Sequence, residues 1–163
     1  MLSFLSGDKP FQIGFLVEDL TACINRYIEL FGVSGWQVYT YGPEILSRMI
    51  YRGKNTSYSS RIGLNYIGST RIELIQPLEG QTIFGEFIEK HGYGQHHLGI
   101  YVPDIEAAKR EAEAAGFEII MEGGGHGLDG DGYYAYLDTE ETLGTTYELI
   151  ERPARRRPPE MVL

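Results

Sequence analysis

The chain has 163 residues, 42% of them hydrophobic and 23% charged, and a formal net charge of −9. That length suits one domain or two small modules sharing a core, and the acidic balance argues against nucleic acid, whose phosphates need a concentrated positive face. No apolar run approaches the roughly eighteen residues of a membrane span, "MLSFLSGDKP" (1–10) lacks the basic start of a signal peptide, and Cys23 has no second cysteine to pair with, so the expectation is a soluble cytoplasmic protein.

In chain order, "FQIGFLVEDL" (11–20) reads as a strand running into Asp19, whose carboxylate can cap a following helix. Helical periodicity then passes through Ile24, Tyr27, Ile28 and Phe31 and stops at Gly32, with Cys23 on the core side. Strands are expected at 36–41 and 59–67, followed by "RIELIQP" (71–77) and a linking helix in "TIFGEFIEKHG" (82–92). A second strand–helix unit starts at "HHLGIYVPDI" (96–105), with Asp104 as cap, Ile105, Ala108, Ala112 and Ala115 as the stripe, and Gly116 as the stop. Strands at 117–122 and 133–138 and "TYELIER" (146–152) complete it. The Gly-rich "GGGHGLDGDG" (123–132) reads equally as a lid over a site or as an exposed hairpin connection. "RPARRRPP" (152–159), broken by prolines, reads as a solvated and partly disordered terminus.

The two units are copies of each other. Gly14 matches Gly99, Val17 matches Val102 and Asp19 matches Asp104 at a constant offset (97 − 12 = 85, 104 − 19 = 85), which sets Gln12 against His97. Both copies end on Glu-Leu-Ile, setting Glu73 against Glu148. The expectation is therefore an α+β chain of two tandem βαβββ modules, about 11–77 and about 95–152, joined by the helix at about 82–92 within a single domain of residues 1–152, and followed by a tail at 153–163.

Strand alternation selects four residues. Gln12 and His97 each share a face with a glycine two positions on, which leaves room above the sheet, while His96 is expected on the opposite face toward helices or solvent. Glu73 and Glu148 interrupt apolar strands, where an unpaired carboxylate costs several kcal/mol or takes up a proton. Singly, each is as easily an edge or structural residue. If the repeat folds about an internal pseudo-twofold axis, the four converge on it, and two carboxylates, an amide oxygen and an imidazole suit one divalent ion (Zn²⁺, Ni²⁺, Co²⁺, Mn²⁺ or Mg²⁺) with two positions open.

These residues resemble the vicinal oxygen chelate superfamily, the glyoxalase, bleomycin-resistance and dioxygenase group. Within it, "IELIQPLEG" and "FIEKHGYGQHHLGIYVPDIEAA" look most like methylmalonyl-CoA epimerase and its relatives. The resemblance implies a mixed sheet curled around a central cavity with helices outside, metal-ligand slots at Gln12, Glu73, His97 and Glu148, a small-molecule substrate and a homodimer. It also marks departures. The first slot holds Gln12 where epimerases usually have histidine, as in some glyoxalase I enzymes, and no acidic residue lies between Glu44 and Glu73 to act as the epimerases' extra base.

Such a site suits proton abstraction next to a carbonyl with a metal-stabilised enolate, as in an isomerase, epimerase or lyase. Glu148 is the first candidate for the base, Glu73 the second, and His126 the third if its loop closes. Tyr101, His126, Asn65 and Tyr136 are expected to line the substrate space, with Tyr39 and Tyr66 beside them. Two alternatives stay open: a non-catalytic protein that sequesters a drug-like ligand, and a metal-dependent oxygenase, whose usual two-histidine, one-carboxylate site Gln12 argues against.

Overall fold

The computed structural model describes residues 2–3 and 11–163. In the first module β1 (Gln12–Leu16) leads through Asp19, whose carboxylate accepts from the Ala22 amide, into α1 (Leu20–Phe31), and Gly32 closes that helix in the left-handed conformation. There follow β2 (Gln37–Tyr41), β3 (Arg48–Tyr51), β4 (Lys54–Asn55), β5 (Ser59–Ile67) and β6 (Thr70–Glu79). Helix α2 (Ile83–His91), capped by the Thr82 hydroxyl, makes the link. The second module contains β7 (Gly94–Tyr101), α3 (Ile105–Ala114) capped by Asp104, β8 (Ile119–Gly124), β9 (Tyr133–Leu137), the single turn α4 (Glu140–Leu143) and β10 (Thr146–Glu151); β11 (Met161–Val162) ends the chain.

Among the described residues eleven strands form one curled mixed sheet in the order β11-β2-β5-β6-β1-β7-β10-β9-β8-β3-β4. Each module contributes a four-stranded unit with one parallel pair, β1 with β6 and β7 with β10, and the units join where β1 and β7 run antiparallel. On the outer face α1 packs Leu20 and Ile24 against Trp36, Val38, Ile72 and Leu74, while α3 lays Ala108 and Ala112 on Leu137 and Leu149. Burying each large apolar side chain contributes about 1.5–3 kcal/mol. The concave face carries its own cluster, including Leu16, Tyr39, Ile62, Leu64, Ile75, Met121 and Tyr136, closed at one side by Ile83 and Phe84 of α2.

Three sequence expectations change here. The stretch between β2 and β5 has no counterpart in the other module; it sends β3 across to pair with β8, carrying the first module onto the far edge of the second. The tail is ordered: Leu128 donates to the Arg155 carbonyl, Gly127 bridges Arg156, and β11 adds itself to β2 while Glu160 accepts from the Thr40 amide at 2.7 Å. Prolines rule out a ladder through 153–159, but not a strap pinned at intervals. That strap also holds the Gly-rich segment, because Asp131 accepts from the Ala154 amide at 2.6 Å and Asp129 pairs with Arg155. Gly123 and Gly124 belong to β8, and 125–132 turns the chain into the antiparallel β9, so the segment is a hairpin connection with an exposed tip, held by the strap and not free as a lid.

Candidate metal centre

The pairing of β1 with β7 places Gln12 opposite Gly99 and Gly14 opposite His97. Each glycine thus faces the other module's polar residue, and the room it leaves is taken by that side chain, not by substrate. A Cβ on Gly14 would lie 1.9 Å from His97 Cε1, and one on Gly99 would lie 2.9 Å from Gln12 Cβ. On the flanks, β6 sets Glu73 beside Gly14 and β10 sets Glu148 beside Gly99. Two rows related by the pseudo-twofold therefore cross the sheet, Glu73–Gly14–His97 and Glu148–Gly99–Gln12, and their polar ends converge.

All four side chains are buried, His97 completely. Gln12 Nε2 lies 2.9 Å from Oε2 of both Glu73 and Glu148 and 3.4 Å from His97 Nε2. His97 Nε2 lies 3.3 Å from Glu73 and 3.2 Å from Glu148. Ligands at right angles around an ion with bonds of ~2.1 Å sit about 3.0 Å apart, so these spacings fit the edges of an octahedron. A half-turn of the Gln12 amide would present Oε1 where Nε2 now lies. The donor set, two carboxylates with an imidazole and an amide oxygen, suits a hard or borderline divalent cation.

The surroundings tune these groups. Burial pushes the Glu148 carboxyl above its ordinary range, only partly offset by His97. Burial works against the charged form of His97, but Glu148 and then Glu73 outweigh it and raise the imidazole to about 9. Burial, reinforced by His97, drops His96 to about 2, so His96 is neutral. Its Nδ1 lies 3.1 Å from Nδ1 of His97 and accepts a proton there, so that His97 Nε2 faces Glu73 and Glu148 and would offer its lone pair to a metal on losing its own proton. His96 was expected on the opposite face. A register shift between β1 and β7 at Gly14/Phe15 skips it, and its ring turns in against Phe84, Phe87 and Tyr136.

Gln12, Glu73 and Glu148 open onto a pocket lined by Tyr41, Tyr58, Phe84, Tyr134 and Tyr136 and by the polar Ser60, His126, Arg71, Arg152 and Arg156. Tyr136 and His126 thus line the space, as expected. Asn65 does not, since its amide donates to the Ser34 carbonyl at 3.0 Å, and Tyr66 is 55% exposed. Tyr39 is buried in the interior cluster without lining the pocket. Tyr101 stands behind the wall, accepting from Arg71 at 2.9 Å. The sequence reading passed over Arg71, although its position two residues before Glu73 put it on the same strand face.

Comparison with known proteins follows this geometry. A sequence model described as the Glyoxalase/Bleomycin resistance protein/Dioxygenase superfamily matches residues 11–136. No curated protein matches the chain in sequence. Among solved structures, a hypothetical protein from Bacillus halodurans is similar over 93% of this chain and 99% of its own, with TM-score 0.61 and 24% identity. A variant of Streptomyces coelicolor methylmalonyl-CoA epimerase in complex with 2-nitronate-propionyl-CoA covers 92% and 98%, with TM-score 0.60 and 18% identity. Methylmalonyl-CoA epimerase from Mycobacterium tuberculosis covers 88% and 86%, with TM-score 0.60 and 22% identity. At these identities the likeness is one of fold.

Proposed function

The chain belongs to the glyoxalase, bleomycin resistance protein and dioxygenase superfamily, and from that premise we propose that it is a metal-dependent isomerase or lyase, epimerase-like or glyoxalase-like, that removes a proton next to a substrate carbonyl. The observation that carries this reading is the convergence of Gln12, Glu73, His97 and Glu148, two from each module, at the buried end of an open pocket. These four residues would hold one divalent ion. Such an ion supplies Lewis-acid stabilisation of the charge that builds on the substrate oxygen as the proton leaves.

The chain's own part is to move the proton. Among the described residues Glu73 and Glu148 are the only carboxylates lining the pocket, and the inward positions of β5 hold Ser60, Ile62 and Leu64 instead of a further acid. Glu148, whose proton affinity burial has raised, is the base, and Glu73 stands across the centre to return the proton. Tyr134 and Tyr136, pushed by burial well above the usual phenol range, stay protonated and donate hydrogen bonds. Helix α2 and the aromatic wall exclude water from the reacting carbon.

The test is metal content of the purified protein by mass spectrometry, beside His97→Ala and Glu148→Ala, followed by deuterium uptake from D₂O into acyl-CoA thioesters and dicarbonyl adducts. About one ion per chain, lost in both variants, with uptake abolished in Glu148→Gln, is the expected result. A wild-type protein that takes up none of Zn²⁺, Ni²⁺, Co²⁺, Mn²⁺ or Mg²⁺ would overturn the proposal in favour of a ligand-binding protein.

A pH dependence follows. Metal binding needs neutral His97, which is protonated below about 9 in the metal-free chain. Affinity is therefore expected to rise about tenfold per pH unit up to that point and then level off, with one proton or more released per ion. Without metal the sign is opposite: charged His97 contributes stability that is fully present below its ordinary value of about 6.5 and is lost as pH climbs through about 9. Calorimetry in buffers of different ionisation enthalpy counts the protons; a metal affinity flat between pH 6 and 9 would contradict the assignment.

A further inference from the structure

Three guanidinium groups line this pocket in a protein of net charge −9. Arg71 is 6% exposed, and among the described residues its one side-chain hydrogen bond goes to the Tyr101 hydroxyl. Arg152 stacks 3.3 Å above the Tyr101 ring, which itself stacks on Phe11. Arg156 comes from the tail strap, near enough to His126 and Tyr41 for its charge to act on both. Among the described residues none of the three joins a salt bridge, whereas Arg26, Arg48, Arg52 and Arg155 all do. The Glu73 charge acts on Arg71 without forming an ion pair with it, and an ion held at the centre would draw that charge away. A buried guanidinium without a counter-charge is costly.

Two further side chains point to a polar ligand. The Ser60 hydroxyl, on a residue 6% exposed, and Nδ1 of His126 are buried in the pocket wall with no hydrogen-bond partner. The internal symmetry agrees. Position 71 stands two residues before Glu73, and the equivalent position two before Glu148 is Thr146. The duplicated residues build the centre, and the unduplicated arginines mark the side from which substrate reaches it.

We infer that this pocket takes an anionic substrate, a carboxylate or phosphate ester with an aromatic or apolar body, whose charge is held by Arg71, Arg152 and Arg156 while its body lies against Tyr41, Tyr58 and Tyr134. Tyr101 is the positioning residue, fixing Arg71 through its hydroxyl and Arg152 through its ring. The inference rests on reading this pocket as the substrate site, and it makes the C-terminal strap part of that site.

The test measures binding of phenylacetate, phenyl phosphate and neutral phenylacetamide to the full chain by calorimetry, with metal content determined on the same samples. At least one anion is expected to bind about tenfold or more tighter than the amide and to weaken with salt. Preference for the carboxylate or for the phosphate says which anion the collar serves. Arg71→Met and the solvent-facing Arg156→Met should each lose about tenfold for the anion at unchanged metal content, with phenylacetamide binding unaltered. Because Arg156 is exposed, its replacement does not threaten folding. Anion and amide binding alike, or an anion affinity indifferent to Arg156→Met, would overturn the inference. Arginine-dependent anion binding by a protein that takes up no metal would overturn the proposed chemistry and leave this inference standing.

Discussion

Gly14→Ala is expected to destroy the metal centre without unfolding the protein. The added methyl would sit 1.9 Å from Cε1, 2.3 Å from Nε2 and 2.4 Å from Nδ1 of His97, so the ring must leave its place. It has nowhere close to go, being completely buried with His96 on one side and Tyr136 on another. Losing one ligand and the register of the others should lower metal affinity by more than about 100-fold, beyond what disturbing an outer partner costs. The overpacking itself costs about 1–3 kcal/mol, which a domain of this size survives. Gly99→Ala is the internal control. Its Cβ meets Gln12 Cβ at 2.9 Å, Ile150 Cδ1 at 3.1 Å and Glu148 Oε2 at 3.3 Å, contacts that small shifts relieve. A graded result in metal titrations, Gly14→Ala far worse than Gly99→Ala, is the expectation; equal, near-wild-type affinities would show that the His97 ring is not held against Gly14.

The same pair of glycines shows what was legible in the sequence. The duplicated phrase and its 85-residue offset carried the two-module fold and the grouping of Gln12 with His97, because a repeat constrains both strand face and symmetry at once. Glu73 and Glu148 followed from polarity in apolar strands. The purpose of the glycines was misread, since one strand cannot show what its partner projects across the ladder. His96 failed for a related reason: alternation holds along a regular strand, and the bulge that turns its ring inward is a property of the β1–β7 pair. Strands β3 and β4 have no image in the second module, and β3 bonds to an edge some seventy residues away with β4 paired onto it, so no local pattern announced them. Arg156 was hidden because proline content spoke against regular structure at 153–159 and says nothing about a strap pinned by side chains and isolated bridges.

Glu122→Ala is expected to be strongly destabilising although it lies outside the centre, costing about 3 kcal/mol. Glu122 is 7% exposed on β8 and serves two cations, Arg48 of β3 at 2.8 Å and Lys109 of α3, itself 9% exposed. Removing the carboxylate leaves the buried Lys109 ammonium with only Glu106 at 3.4 Å, and breaking a buried pair from one side costs far more than the pair contributes. Glu106 touches the same cations from a half-exposed position, so Glu106→Ala should cost only roughly 0.5 kcal/mol. The consequence reaches the pocket, because Arg48 begins the strand that carries the first module across to β8, and the crossing chain has Tyr41 at one root and Tyr58 at the other. Chemical denaturation should separate the two variants, and hydrogen exchange should show the β3–β4 amides opening first in Glu122→Ala. If both variants unfold at the same denaturant concentration, the network does not anchor the crossover, and the pocket wall must owe its position to packing of Leu46, Tyr58 and Met121 alone.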